Sequence, residues 1–332
     1  MSHTLGLSFT SAPTDRSDMS VPALRRPAGR QAHAAHRRAR PLARRLAAAW
    51  ILAAAAAPLS CSQASTSPTE PTPDGPVVYA AIGASDAVGV GASVVCIPFA
   101  ECPNGTGYVP VIGRRLAVGG RQVSVTNLGI PAAVLSPAIQ ALGNQYNRGI
   151  PGNFLEQELP FVPRTATVVT IFAGGNDANA IGTALAGGEG GFDPLGWIEQ
   201  QVRGFATDYQ TLVRGVKERA PSATIVVANL PNFAGMPFTR DWTPEKRLIL
   251  QRITVGMTVQ GINGFASQGI PVVDMMCDDR MYQSSTFSSD GFHPNDTGYG
   301  YLADEMLRAI NAPSSYPAPR SSCTHMFKVP GF

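Results

Sequence analysis

The sequence is poor in charged residues, in heptad patterning and in cysteine, and each scarcity excludes a class of protein. Aspartate, glutamate, lysine and arginine together make up 15% of the 332 residues, whereas 44% are hydrophobic. That balance excludes an intrinsically disordered chain, which would carry more charge and less apolar surface. The lack of any heptad run excludes a coiled coil. Five cysteines are too few for a small disulfide scaffold.

The formal net charge of +3 conceals two parts of opposite charge. Residues 1–60 contain nine arginines and two aspartates, so they carry +7, which leaves −4 for residues 61–332. Binding to nucleic acid requires a basic face that neutralises phosphates. We therefore expect no nucleic-acid partner for the folded part of the chain.

The first 61 residues have the pattern of an export signal. Arginines precede the apolar run Leu46–Leu59, whose 14 residues are fewer than the ~20 needed to span a bilayer. The run ends in Pro-Leu-Ser before Cys61, which resembles a bacterial lipobox with the leucine one place too close to the cysteine. Lipidation of Cys61 would anchor the protein to a membrane, and cleavage after residues 62–64 is the alternative. The leader predicts an exported protein, either periplasmic, an outer-membrane lipoprotein or secreted.

A Ser/Thr/Pro-rich linker over residues 62–76 separates this leader from a predicted domain at 77–332. The domain retains an even set of four cysteines, which can form two disulfides in an oxidising compartment: Cys96, Cys102, Cys277 and Cys323. Four cysteines allow three different disulfide connectivities, and the sequence does not decide among them. Pairing the two nearest in sequence would leave the other two to fasten the C-terminal tail. No Cys-x-x-Cys pair or adjacent histidine favours a metal site, so we predict no metal.

Five short, β-branched apolar runs predict buried parallel strands: Val77–Ile82, Val123–Asn127, Thr167–Phe172, Thr224–Asn229 and Pro271–Asp274. Helical patterns separate them, most clearly over Trp197–Arg219 and Asp296–Asn311, and a third helix is predicted to begin at Thr243. Alternation of strands and helices predicts an α/β fold with a five-stranded parallel sheet between helix layers. In such sheets ligands bind beyond the carboxyl ends of the strands.

The polar residues at that edge include one histidine suited to catalysis. Three of the five histidines lie in the leader, and His325 lies in the C-terminal tail, which leaves His293. Asp290, three residues earlier in a glycine-containing loop, is placed to orient the imidazole as a carboxylate orients a catalytic histidine. Ser85 follows the first strand and would become a nucleophile if His293 accepted its proton. Each residue taken alone is also an ordinary turn or capping residue.

Attack on an ester carbonyl creates an oxyanion, which requires hydrogen-bond donors arranged in advance. Gly129, in Asn-Leu-Gly after the second strand, can present an unobstructed N–H group. Asn176, in Gly-Gly-Asn-Asp after the third strand, can present a side-chain amide. The N–H of Ser85 would be the third donor.

These loops together resemble the sequence blocks of the GDSL, or SGNH, hydrolase superfamily, in the same chain order. The resemblance covers most of residues 77–311. It implies a three-layer α/β/α flavodoxin-like fold and ester hydrolysis through an acyl-serine, with Ser85, Asp290 and His293 as catalytic residues and no cofactor. The first block departs from the family's Gly-Asp-Ser-Leu, because Ala84 replaces a carboxylate that often supports the turn. Asp86 is one substitute, and the turn can also be held differently.

Other readings of the same residues remain open. A nucleotide-binding domain is disfavoured, because the order G-x-G-x-x-G and a Walker lysine are both missing. An acyltransferase would pass the acyl group to an alcohol instead of water. A non-catalytic carbohydrate or cell-wall binding module on the same scaffold is the third reading. The expected partner is a small-molecule, lipid or carbohydrate ester, in a pocket walled by Gly89–Tyr108 and Leu230–Phe238.

Overall fold

The structure is a computed structural model, and it describes residues 75–331. The predicted leader at 1–61, the predicted lipidation site at Cys61 and residues 62–74 of the predicted linker lie outside the described residues. The first strand begins at Val77. Within residues 75–331, no helix is both long enough and apolar enough to cross a membrane.

Strands and helices alternate along most of the described chain. The strands are β1 (Val77–Gly83), β2 (Val123–Asn127), β3 (Val168–Phe172), β4 (Thr224–Ala228) and β5 (Val272–Val273). The α-helices are α1 (Ser85–Val88), α2 (Tyr108–Leu116), α3 (Pro137–Gln145), α4 (Phe154–Gln157), α5 (Gly175–Ala186), α6 (Pro194–Arg219), α7 (Pro244–Gly256) and α8 (Asp296–Asn311). A π-helical segment, Met257–Ile262, continues α7.

The five strands form one parallel sheet in the order β2-β1-β3-β4-β5. This is the flavodoxin-like strand order, with β1 between β2 and β3. Helices α2 and α8 cover one face of the sheet, and α3, α5, α6 and α7 cover the other. The predicted three-layer α/β/α fold with a five-stranded parallel sheet is confirmed.

The prediction that every strand is buried on both faces is wrong for β2. Ser124 and Val125 of this strand are exposed, and its last residue, Asn127, is its one buried residue. β2 lies at an edge of the sheet, where one side has no neighbouring strand. An apolar run therefore indicated the strand correctly but did not indicate its place in the sheet.

Capping residues set the helix boundaries near the site. α6 begins three residues earlier than predicted, because the Asp193 carboxylate accepts the N–H of Gly196 at 2.9 Å and Pro194 occupies the first turn. α8 has the predicted bounds, and the Asn295 side chain accepts the N–H groups of Thr297 and Gly298. This cap fixes the start of α8 three residues after His293.

Candidate active site

The structure brings together the serine, histidine and aspartate that the sequence singled out. The Ser85 Oγ lies 2.9 Å from the His293 Nε2, across 208 residues of chain. The His293 Nδ1 lies 2.6 Å from the Asp290 Oδ2. Both distances are those of hydrogen bonds. A hydroxyl linked in this way to an imidazole and a carboxylate can be deprotonated as it attacks an electrophile.

Local structure holds each member of this group in place. β1 ends at Gly83, and Ser85 is the first residue of α1, a single turn closed by Gly89. On the other side, the Asp290 Oδ1 accepts the backbone N–H groups of Phe292 and His293, each at 2.9 Å. The hydroxyl of Ser288 donates to the same oxygen at 2.8 Å. The carboxylate therefore organises the loop that carries the imidazole.

The electrostatic surroundings favour an ionised Asp290 and a basic His293. Burial acts to raise the pKa of Asp290, but the hydrogen bonds from His293, the loop N–H groups and Ser288 hold that pKa well below its usual range. Burial acts to lower the pKa of His293, but the hydrogen bond with Asp290 and the negative charges of Asp86 and Asp290 raise it above 6.5 overall. The imidazolium form of His293 is thus stabilised.

Asn176 and Gly129, the other predicted oxyanion donors, also lie at this edge. Asn176 lines the same cavity as Ser85, and its side-chain amide donates one N–H to the Ala133 carbonyl at 2.9 Å. That amide has a second N–H to offer. Gly174, two residues earlier, has a φ of +117° and a position where a Cβ would lie 2.9 Å from Leu230, so only glycine fits.

Gly129 packs closely against the turn that carries Ser85. A Cβ on Gly129 would lie 2.5 Å from the Ala87 Cβ and 3.0 Å from the Ala84 carbonyl oxygen. Its N–H donates to the Asn127 Oδ1 at 3.1 Å, while the Asn127 Nδ2 donates to the Ala87 carbonyl at 2.7 Å. An oxyanion would therefore share the Gly129 N–H with Asn127, which the sequence did not indicate.

A small, largely apolar cavity of about 40 Å³ opens beside Ser85 and Asn176. Its wall includes Leu230, Phe233 and Phe292, and the two phenylalanine rings meet edge to face at 5.4 Å. The predicted wall segment Leu230–Phe238 therefore contributes to the cavity. The other predicted wall segment, 89–108, contributes no residue to it and lines a separate surface depression.

Two further carboxyl groups, those of Asp86 and Glu158, lie near the site. The sequence left the role of Asp86 open and did not point to Glu158. Asp86 is close enough to His293 to raise its pKa. Glu158, which sequence reasoning missed, is fully buried and accepts the N–H of Gly83 at 3.0 Å and that of Ile130 at 3.3 Å. The sequence offered no distinguishing signal, because Glu158 is one of two glutamates in the mixed polar and apolar segment Phe154–Phe161.

The four cysteines of the described chain form two disulfides, Cys96–Cys102 and Cys277–Cys323. The first closes a short loop after α1, and the second fastens the C-terminal tail to the segment that follows β5. Among residues 75–331, no group of three or more histidine, cysteine, aspartate or glutamate side chains is arranged to hold a metal ion.

Residues 81–301, which include all the predicted catalytic and oxyanion-hole residues, match the family model of the GDSL-like lipase/acylhydrolase family. The chain belongs to this family of lipases and esterases. Comparison with curated protein sequences gave no match.

Several solved structures are similar to this one. An extracellular lipase from Streptomyces rimosus is 19% identical, with a TM-score of 0.48, over 70% of this chain and 99% of that one. A phospholipase A1 from Streptomyces albidoflavus is 16% identical, with a TM-score of 0.43, over 70% of this chain and 99% of that one. An acetylxylan esterase from Geobacillus stearothermophilus is 15% identical, with a TM-score of 0.42, over 76% and 100% of the two chains.

Proposed function

We propose that the protein hydrolyses carboxylic esters through an acyl-serine intermediate on Ser85. The observation that carries this proposal is the continuous hydrogen-bonded series from the Ser85 Oγ through His293 to Asp290. Family membership supports the reaction class, since members are lipases and esterases. The catalytic roles of the three residues are part of the proposal.

In the first half of the reaction, the Ser85 Oγ attacks the ester carbonyl carbon while the His293 Nε2 takes the hydroxyl proton. Negative charge moves to the carbonyl oxygen, where the N–H groups of Ser85 and Gly129 and the amide of Asn176 stabilise it. The carbon–oxygen bond to the alcohol then breaks, and the imidazolium returns its proton to the departing alkoxide. Asp290 stabilises the imidazolium throughout.

In the second half, water attacks the acyl-serine carbonyl and gives its proton to His293. Collapse of the second tetrahedral intermediate breaks the bond to the Ser85 Oγ, which regains the proton from His293. The products are a carboxylic acid and free enzyme. An alcohol in place of water would give a new ester, so acyl transfer is the alternative outcome of the same intermediate.

The size of the cavity supports a short acyl chain. A cavity holds a water molecule in roughly 10–15 Å³, so about 40 Å³ accommodates about three or four non-hydrogen atoms. The Phe233 ring lies close to the site. The tip of the ring would be 3.6 Å from a Cβ placed on Gly175. We therefore propose esters of acids with about two to four carbons as the preferred substrates.

The test combines covalent labelling with turnover. A fluorophosphonate probe should label the wild type at Ser85, identified by peptide mass spectrometry, and p-nitrophenyl acetate should be hydrolysed. Ser85→Ala should lose both, whereas Ser93→Ala, a change at an exposed serine in the following loop, should keep both. Wild-type protein that is neither labelled nor active would exclude the proposal in favour of a binding module. Adding a sugar alcohol separates hydrolysis from acyl transfer.

We also propose export, with Cys61 as a candidate lipid anchor. The two disulfides support this, since disulfides persist mainly in oxidising compartments. Mass spectrometry of the mature N-terminus in a bacterial host should find either a lipidated Cys61 or a free terminus further along the chain. An intact, unprocessed leader would contradict export.

A further inference from the structure

Glu158 links the two loops that flank the proposed reaction centre. Its carboxyl oxygens accept the N–H of Gly83, at the end of β1, and the N–H of Ile130, next to Gly129. The two acceptor contacts span 75 and 28 residues of chain. One side chain thus joins the strand that leads into Ser85 to the loop that carries an oxyanion donor.

The burial of this side chain is costly and calls for a physical reason. Glu158 is 0% exposed, and no arginine, lysine or histidine among residues 75–331 forms an ion pair with it. Burial raises its pKa well above the usual value for a glutamate. A side chain that only filled this space would be apolar, so the hydrogen bonds to the two loops distinguish Glu158 from a packing residue.

The first block of the sequence lacks the carboxylate that would otherwise stand beside the serine. Position 84 holds an alanine, and Asp86 interacts with His293 rather than with the backbone of Gly83. Glu158 reaches that backbone from a different part of the chain, at the end of α4. The turn is therefore supported by a carboxyl group, but one contributed by another segment.

We propose that Glu158 is a positioning residue that sets the spacing between Ser85 and the Gly129 N–H, and so shapes the oxyanion hole. The proposal rests on the ester hydrolysis proposed above. Oxyanion donors act only when they lie about 2.7–3.1 Å from the developing charge. A shift of either loop would weaken stabilisation of the transition state while leaving the apolar acyl cavity intact.

The experiment compares Glu158→Gln and Glu158→Ala with Glu156→Gln, which removes an exposed carboxylate two residues earlier, within α4. Active sites are counted by fluorophosphonate titration, and kcat per titrated site is measured with p-nitrophenyl acetate. Binding of butylboronic acid, which forms a tetrahedral adduct with the serine, reports the oxyanion hole directly. Thermal unfolding accompanies each measurement.

For Glu158→Gln we expect kcat per site to fall by about 10- to 100-fold, less than the loss of a whole donor. KM should stay within about twofold, the boronic acid should bind more weakly by the same factor as kcat falls, and Glu158→Ala should lose more. Glu156→Gln should match the wild type. A purely structural role would lower the number of titrated sites but not kcat per site.

Three results would overturn the proposal. The first is kcat per site within twofold of the wild type in both Glu158 variants. The second is failure of both variants to fold, which would assign Glu158 to stability alone. In either case an active, labelled wild type would leave the proposed function standing. The third, an inactive and unlabelled wild type, would remove both proposals together.

Discussion

Asp290→Asn keeps the size of the side chain and removes its charge, so it tests what the carboxylate does for His293. The Oδ1 position accepts three donors, from Ser288, Phe292 and His293, and that set of donors fixes which atom of the new amide occupies it. The amide oxygen must take the Oδ1 place. The amide NH₂ then faces the His293 Nδ1, where Oδ2 stood at 2.6 Å.

The substitution removes the charge attraction between Asp290 and the imidazolium, and it changes the tautomer of His293. The size of each effect can be calculated. Charges about 4 Å apart attract by about 4 kcal/mol at an effective dielectric constant of about 20. The Asp290 side chain is 46% exposed, so we halve this figure to about 2 kcal/mol for solvent screening, roughly a 30-fold effect. The NH₂ group also makes Nδ1 an acceptor, which puts the ring proton on Nε2 and blocks it as a base. Together we expect kcat to fall by about 10³–10⁴-fold, the scale known for a triad whose histidine holds the wrong tautomer.

The assay is steady-state hydrolysis of p-nitrophenyl acetate between pH 5 and 9, with fluorophosphonate titration to count folded sites. Asp296→Asn is the matched control, because it removes an exposed carboxylate three residues after His293. The Asp296 carboxylate accepts hydrogen bonds from Ser93 and makes none with His293. The control should keep kcat within about twofold. If Asp290→Asn retained more than a tenth of wild-type kcat, the carboxylate would not be setting the tautomer, and the reasoning would be refuted.

Three further predictions concern the same site. Asn176→Ala should lower kcat by about 10²–10³-fold with little change in KM, as measured by steady-state kinetics. An equally large change in KM would mean that Asn176 binds the substrate in the ground state and would contradict its role as an oxyanion donor. The acid limb of kcat/KM against pH should have its midpoint above 6.5, because a raised His293 pKa requires a higher pH to free the base, and Asp86→Asn should move that midpoint down. An unmoved midpoint would contradict the electrostatic effect of Asp86 on His293. Phe233→Ala should shift the preferred p-nitrophenyl ester to longer chains, and an unchanged profile would show that this ring does not limit the cavity.

Much of the fold could be predicted because its signals are local. Continuous β-branched runs indicated the strands, and apolar residues spaced three and four apart indicated α8 to the residue. The edge position of β2 could not be predicted in this way, since it depends on which strands pair. Pairing is decided by the whole sheet, and an apolar run has the same appearance in a central strand and an edge strand.

The candidate site likewise contains some contacts that could be predicted from the sequence and others that could not. Asp290 and His293 are three residues apart in one loop, so their contact follows from a short spacing that sequence displays. The contact between His293 and Ser85 required the additional rule that polar loops converge at the carboxyl ends of parallel strands. The hydrogen bond from the Gly129 N–H to Asn127 and the edge-to-face contact of Phe233 with Phe292 in the cavity wall arise from side-chain packing. No spacing rule encodes such contacts.

The environments of the two carboxyl groups explain how both can serve one reaction that develops negative charge. Asp290 is half-exposed and richly hydrogen-bonded, which keeps it ionised beside the histidine that becomes positive. Glu158 is fully buried and next to the loops proposed to hold the oxyanion, where a negative charge would oppose catalysis. Burial raises the pKa of Glu158 well above the usual range, while the N–H groups of Gly83 and Ile130 act to lower it. Its two oxygens accept hydrogen bonds from both loops, so environment rather than residue type separates the two roles.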